Sequence, residues 1–358
     1  MPQASRLPSM FGPRILLCLM LLVCSSLADI SVTPPRGFHK TRIEVSVATN
    51  TPGATLLYTL DGSPPTLAKG RRYVKPITIT KSTALRIVEQ VGDALPVPSI
   101  THTYLFVDQN ANQAAQPEGY ITEVESWRLS SMQTFDWAMD PDIVTNTTDN
   151  GILSDHLLAA PTIALTMDRQ EFNHLYEHHT ERGIEFERAA SFELLYPDKP
   201  QFKKFKGFQI NCGLRMQGGG AAIKTRKKSF RLLFKKDHGP GKLRYPLFES
   251  ATHHSKTAAQ EFDNVILRAG GNANWSKDEA WKHAPATYLR DPLVRDSQIA
   301  ACGFGARSVF AHLTINGLYH GLYNLAERPD DKFQAAYWGG EPENYHSFNH
   351  GGTVSGDN

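Results

Sequence analysis

Hydrophobic and polar positions alternate with a period of two in the first third of the chain. Residues 42–48 (RIEVSVA) do so most cleanly, the pattern of a strand with one buried face. Residues 55–60 (TLLYTL), 77–79 (ITI), 84–88 (ALRIV) and 103–107 (TYLFV) add further short β-rich runs. Asp61-Gly62 directly follows the second run, a pair that favours a tight turn with positive φ. Pro64-Pro65 then bars continuation as a central strand, because proline lacks the amide donor. Short strands divided by turn signals predict a β-sandwich.

The pattern changes further along. Residues 108–119 (DQNANQAAQPEG) are polar and Pro/Gly-punctuated, as a linker is. Phe135 and Trp137, beside Asp140-Pro141, predict a segment that docks on a domain surface. From about residue 160 strands and helices mix. Residues 161–167 (PTIALTM), 190–196 (ASFELLY), 208–216 (FQINCGLRM), 229–234 (SFRLLF), 264–268 (NVILR) and 310–315 (FAHLTI) read as strands. Asp168 is placed to cap a helix through residues 171–176, and residues 291–300 are helix-like with Pro292 at the start. Asn316-Gly317 is a strong hairpin turn, with residues 318–325 (LYHGLYNL) returning. Such a mixture predicts an α+β domain built on antiparallel hairpins.

Targeting signals account for the N-terminus. Arg6 and Arg14 precede the unbroken apolar run 15–23 (ILLCLMLLV), which is too short to span a bilayer at about 20 residues. Ser26-Leu27-Ala28 follows with small residues, so a signal peptide cleaved after Ala28 is expected. No later run approaches membrane length. Export permits disulfides; after cleavage Cys212 and Cys302 remain, either paired or as two separate thiols. The chain has 38 basic residues; without Arg6 and Arg14, 36 remain against 36 acidic ones. That balance gives no reason to expect a nucleic acid or other bulk polyanion as partner.

Two resemblances follow from particular residues. Residues 58–66 (YTLDGSPPT), then Tyr73, Pro76-Ile77 and Leu85-Arg86, resemble the chitobiase/β-hexosaminidase C-terminal-type domain, an immunoglobulin-like sandwich that is not itself catalytic. Residues 213–219 (GLRMQGG), the run 227–232 (KKSFRL) and the hairpin 316–328 (NGLYHGLYNLAER) resemble the CotH kinase family. Leu267-Arg268, Trp275 and residues 288–291 fall where that family has its middle block. The expected organisation is a signal peptide (1–28), a sandwich (29–107), a linker or docking segment (108–158) and an incomplete CotH domain (159–358). The fold class is α+β: an N-terminal immunoglobulin-like β-sandwich, then a mixed α+β, atypical kinase-like domain.

The CotH resemblance implies ATP-dependent phosphorylation of a protein substrate, with ATP and Mg as cofactors. Phosphoryl transfer needs cations on the phosphates and acids on the metal. Arg215, Lys227 and Lys228 are the candidate phosphate ligands, behind the run Gly218-Gly219-Gly220, and Glu327 is the candidate to orient a lysine. No Walker loop occurs. The family's metal-binding and catalytic acids lie beyond the NG hairpin, so the resemblance places them after Asn358, leaves the catalytic residues unassigned and implies that residues 29–358 are inactive by themselves. His174 and His178 share a helix face, but no third ligand accompanies them, and an exposed face is the reading. ATP is scarce outside the cytoplasm. Two alternatives therefore stand beside the kinase: a non-catalytic cell-surface binding or structural protein, and a carbohydrate-associated secreted protein.

Overall fold

The structure, a computed structural model, describes residues 30–92, 98–126, 131–147, 152–218, 225–249, 257–271, 287–349 and 352–355. The expected signal peptide, Gly219, Gly220 and Trp275 lie outside the described residues.

Alternating burial builds the first module. Its strands are β1 (Ile30–Thr33), β2 (Gly37–Phe38), β3 (Ile43–Thr49), β4 (Thr55–Thr59), β5 (Arg71–Arg72), β6 (Ile77–Ile79), β7 (Thr83–Gln90) and β8 (Ile100–Leu105). They form two sheets, ordered β1-β3-β6 and β2-β8-β7-β4-β5. Val45, Ile79, Leu85, Ile87 and Tyr104 belong to the shared core. Strand β4 pairs with β5 and β7, so residues 60–70 make a loop instead of a two-residue hairpin. Asp61 serves that loop: its Oδ1 accepts from Ser63 N at 3.0 Å and from Ser63 Oγ at 2.6 Å. A short side chain that bonds the backbone two residues on is what a turn demands. Every residue of β7 is buried, because the strand is covered on both faces.

A hairpin of β9 (Glu123–Ser126) and β10 (Ser131–Thr134) leads towards the second domain. Trp137 beyond it is 4% exposed and belongs to that domain's core. The domain's frame is a closed barrel. Its strands are β11 (Thr162–Thr166), β12 (Arg188–Leu195), β13 (Phe208–Gln217), β14 (Ser229–Leu233), β17 (Asn264–Arg268), β18 (Ser308–Ile315) and β19 (Leu318–Ala326), with a side hairpin of β15 (Leu243–Arg244) and β16 (Glu261–Phe262). The order is β11-β12-β13-β14-β17-β19-β18. All neighbours run antiparallel except β11 and β18, whose parallel pairing closes the ring. Leu165, Phe192, Leu214, Phe230, Val265 and Leu325 are fully buried in its core. At about 1.5–3 kcal/mol for each buried large apolar side chain, this cluster is the main source of stability. The helix Arg169–Glu177 is capped by Asp168, which accepts from Gln170 N, and buries Phe172, Leu175 and Tyr176. The helix Arg290–Cys302 follows β17.

The two modules share a buried boundary. Leu105 and the half-buried Phe38 of the sandwich pack on Ala164 and Leu195 of the barrel. Asn211 Nδ2 donates to Ser99 O at 3.0 Å. The NG hairpin tip inserts at the same boundary: Asn316 and Gly317 both have positive φ, and Gly317 abuts the backbone of Ser82 so closely that a Cβ there would lie 2.7 Å from its carbonyl oxygen.

Candidate functional site: an arginine-lined cleft at the β13–β14 hairpin

Strands β13 and β14 pair so that Arg215 lies opposite Arg231 and Gln217 opposite Ser229. Arg215, Gly218 and the lysines before β14 are thereby brought to one end of the hairpin, as their sequence order suggested. Lys228 is 1% exposed. Its carbonyl accepts from Tyr323 Oη at 2.8 Å. His179 is pushed down to about 4 by burial and then by the nearby Lys228 charge, which places that ammonium beside the turn following the helix Arg169–Glu177.

Lys227 turns elsewhere. Its Nζ donates to Leu322 O at 2.5 Å and lies 4.5 Å above the Tyr323 ring centroid. Burial without an acidic partner pulls it down to about 7. Glu327 is also committed away from the hairpin end. Its Oε2 accepts from Arg307 N at 2.7 Å and its Oε1 from Tyr337 Oη at 2.6 Å. Burial pushes its carboxyl up to about 7 against those bonds and the Arg307 and Arg295 charges. The expected lysine–Glu327 orientation is thus not formed through Lys227.

A cleft of about 290 Å³ opens between the turn after the helix Arg169–Glu177 and the hairpin end. Arg182, Arg215, Arg231 and Arg328 line it, with Gly218 at its edge and Glu181 as an acid on its wall. Each guanidinium is held from behind. Arg182 donates to the carbonyls of His179 at 3.0 Å and Glu181 at 2.6 Å, and to Gly218 O. Arg215 pairs with the buried Glu187 at 2.6 Å. Arg328 and Arg231 share Asp330 Oδ2, at 2.7 and 3.4 Å. Asp330 also caps the helix Asp331–Trp338 by accepting from Phe333 N at 3.1 Å.

The charges do not balance locally. Glu187 already binds Lys235 at 2.9 Å and His238 at 2.7 Å. Burial opposes its ionisation, but the bonds from Lys235 and His238 and the Arg215 charge hold it below the usual carboxylate range. Arg231 is drawn down to about 10, by burial first and next by the neighbouring Arg328 charge. Arg215 Nε is buried without a hydrogen-bond acceptor among the described residues. Fixed, crowded guanidiniums suit an oxyanion, whose geometry they match in pairs. Among the described residues no three His, Cys, Asp or Glu side chains gather where they can hold a metal ion. The rings of His174 and His178 lie tilted at 4.2 Å between centroids, and His174 Nε2 is engaged by Arg188 at 2.7 Å.

Sequence order gave Arg215 and Gly218 but not Arg182, Arg231 or Arg328. Arg231 lies in the signature run 227–232 and Arg328 ends the NG hairpin run, yet nothing in either run tells that both face Asp330. Cys212 is a buried free thiol in the barrel and Cys302 an exposed one.

Residues 34–93 match the family model of the chitobiase/beta-hexosaminidase C-terminal domain. That match ends before β8, which completes the larger sheet. Residues 214–354 match the model described as CotH kinase protein, from the end of β13 to the last described strand. Comparison with curated proteins gives no match. The chain is therefore similar to the chitobiase/beta-hexosaminidase C-terminal domain over residues 34–93 and, after it, to CotH kinase protein over residues 214–354.

Proposed function

We propose that this is an exported CotH-type protein acting as a kinase-like phosphotransferase, with ATP as donor and a protein as acceptor. One observation carries the reading: Arg215, Gly218 and the buried Lys228 converge at one end of the β13–β14 hairpin, within the CotH match. In phosphoryl transfer the protein contributes mainly positioning and electrostatic stabilisation, and these are the residue types that do both. When bound, ATP supplies the transferable phosphoryl group. This chain's residues orient its oxygens and offset their charge.

Export is supported by the charged, apolar and small residues ordered over positions 6–28, and among the described residues no helix is long and apolar enough to cross a membrane. N-terminal sequencing of exported protein should begin at Asp29; an intact Met1 overturns that part. The non-catalytic surface-binding reading is favoured by one fact, that Lys227 and Glu327 are satisfied by Leu322, Arg307 and Tyr337. Incubation of the purified protein, including the metal-binding and catalytic acids that the CotH resemblance implies, with γ-labelled ATP separates the two. Label on a protein acceptor or on the chain supports phosphotransfer; ATP left intact, with no label moved, selects the binding role.

A further inference from the structure

We propose that the free edge of the sandwich, residues 67–75, is a docking site for an anionic lipid surface. Arg71, Arg72 and Lys75 meet the headgroups, and Leu67 and Val74 enter the boundary below them. The proposal does not rest on the phosphotransfer reading.

Charge is the first observation. The overall balance of the chain hides an asymmetry. Residues 30–107 hold nine basic and four acidic residues, and residues 108–358 hold 27 basic and 31 acidic ones. The sandwich is thus net +5 and the remainder net −4. The excess is concentrated: six bases and no acid lie between Asp61 and Glu89. The described acids of the module are engaged elsewhere. Asp61 accepts from Ser63, Glu44 from Arg42 and Thr78, and Glu89 from Thr49 and Thr51. Lys69 pairs with Asp168 of the second domain at 3.6 Å. Arg71, Arg72 and Lys75 are exposed, and no described side chain pairs with theirs.

Apolar exposure is the second. Val74 and Leu67, at 78% and 73%, are the most exposed large apolar side chains among the described residues. Both sit within this run of bases. Charged side chains on a sheet edge serve by themselves to block pairing with another sheet, and β5 is such an edge. Edge protection does not account for a leucine and a valine held in water beside the charges. Interleaved basic and apolar residues match a membrane interface, with cations for anionic headgroups and apolar side chains for the acyl boundary. A soluble polyanion uses the cations alone and leaves Leu67 and Val74 in water.

Third, the edge is held firmly with these side chains outward. Gly70 N donates to Thr66 O at 2.6 Å and closes the turn that carries Leu67. A Cβ on Gly70 would lie 3.1 Å from the Leu57 Cβ, so the turn sits directly on β4. Arg71 and Arg72 pair with Tyr58 and Leu57. Tyr73 is the inward anchor. Its N donates to Leu56 O at 2.8 Å, its Oη accepts from Val47 N at 3.1 Å, and its ring packs on the sandwich core. Arg72 and Val74 on either side of it are left exposed. A docking edge already ordered loses little conformational freedom on binding. Two apolar side chains and three cations make a reversible, peripheral contact, since even a single acyl chain gives only marginal binding.

The test is flotation of the chain beginning at Asp29, which lacks the apolar run 15–23. Vesicles of phosphatidylcholine alone are compared with vesicles of phosphatidylcholine and phosphatidylglycerol, and dextran sulfate serves as a soluble polyanion. The chain should float with the mixed vesicles and not with the neutral ones, and raised salt should release it. Each cation near an anionic surface contributes about fivefold, so Arg71→Gln, Arg72→Gln and Lys75→Gln combined should weaken binding roughly 100-fold. Leu67→Ser with Val74→Ser should weaken it roughly 10-fold and leave dextran sulfate binding unchanged. Amine acetylation of the unmutated chain, read by mass spectrometry, gives a measurement free of folding defects: mixed vesicles should protect Lys75 and leave Lys242, on the barrel's side hairpin, reactive. No flotation with mixed vesicles, equal flotation with neutral ones, or Lys75 left unprotected overturns the proposal. So does an apolar double variant that binds mixed vesicles as tightly as the parent chain, since the edge then serves a soluble polyanion instead.

Discussion

Glu193 reaches from barrel strand β12 to sandwich strand β8 and accepts the backbone N–H of Thr103 at 3.1 Å. The carboxylate is fully buried and also faces Arg36 of the sandwich at 3.2 Å. Burial pushes it up to about 7 against the Arg36 charge and the bonds from Thr103. A charged group so enclosed is tolerated only with its partners in place. The sandwich is thus joined to the barrel by a polar contact as specific as those within either module.

Glu193→Ala should therefore destabilise the chain across its domain boundary. Arg36 and the Thr103 amide lose their shared acceptor, a loss of about 2–4 kcal/mol for groups left buried and unpaired. Thermal unfolding followed by circular dichroism should show a lowered first transition. Co-operative unfolding in the parent chain and two separate steps in the variant is the expected pattern. An unchanged profile means that the boundary does not couple the modules.

Glu327 makes stability depend on pH in a stated direction. Its folded carboxyl titrates near 7, raised chiefly by burial from the ordinary value of 4.5. A raised folded value means that the folded state binds the extra proton. The contribution is fully present below 4.5 and is lost as pH rises through about 7. Glu327→Gln cannot ionise, so its stability should fall less between pH 5 and pH 8 than that of the parent chain. Urea midpoints across that window check this. Parallel pH profiles for the two proteins refute the assignment.

Local signals were the legible part of this fold. The NG turn predicted the hairpin, observed as Ser308–Ile315 and Leu318–Ala326, because turn geometry and strand pairing are set by neighbouring residues. Residues 264–268 and 208–216 were likewise legible as strands, observed as Asn264–Arg268 and Phe208–Gln217. Ring closure was not legible: β11 and β18 pair across about 150 residues of chain, and nothing local in residues 161–167 names that partner. Glu193 sits within a run that reads only as a strand, and its partners lie 90 positions away in Thr103 and further still in Arg36. The cleft was legible in part for the same reason. Arg215 and Gly218 stand next to a glycine run, whereas Arg182 and Arg328 join them only through the barrel.

Gly62 marks the boundary from the sandwich side. Its φ is +84° and a Cβ there would lie 2.5 Å from Met167 O and still closer to the Asn316 side chain. Asn316 is not free to yield: it accepts from Met167 N and donates to Met167 O, each at 3.0 Å. Gly92 also has positive φ, at +52°, but has open space around it. Gly92→Ala should then cost about 1 kcal/mol from backbone strain alone, and Gly62→Ala should cost clearly more, because it adds a clash with backbone. Equal losses in the two variants, measured by urea unfolding, would remove the argument that Asn316 is pinned against this turn.

Trp137 closes the barrel end from a segment that precedes every barrel strand. Its indole N–H donates to Ile121 O at 3.0 Å, and its ring centroid lies 5.6 Å from Phe172 and 4.8 Å from His320. His320 is held neutral, pulled down to about 3 by burial and then by the Lys227 charge, and it meets Tyr176 Oη at 2.9 Å. The indole thus covers an imidazole that must stay dry. Trp137→Ala removes a large buried ring and leaves a cavity beside His320, a change worth about 3–5 kcal/mol. Trp137→Phe keeps an aromatic cover and loses the N–H donor, so about 1–2 kcal/mol is expected from the unpaired Ile121 carbonyl and the smaller ring. If water enters in the Ala variant, His320 also rises towards its ordinary 6.5, and the loss should become smaller as pH falls below about 6, where a hydrated imidazole accepts a proton. Urea midpoints for the three proteins at pH 5 and pH 8 measure both effects. An Ala variant no weaker than the Phe variant shows that the segment lies on the barrel without sealing it.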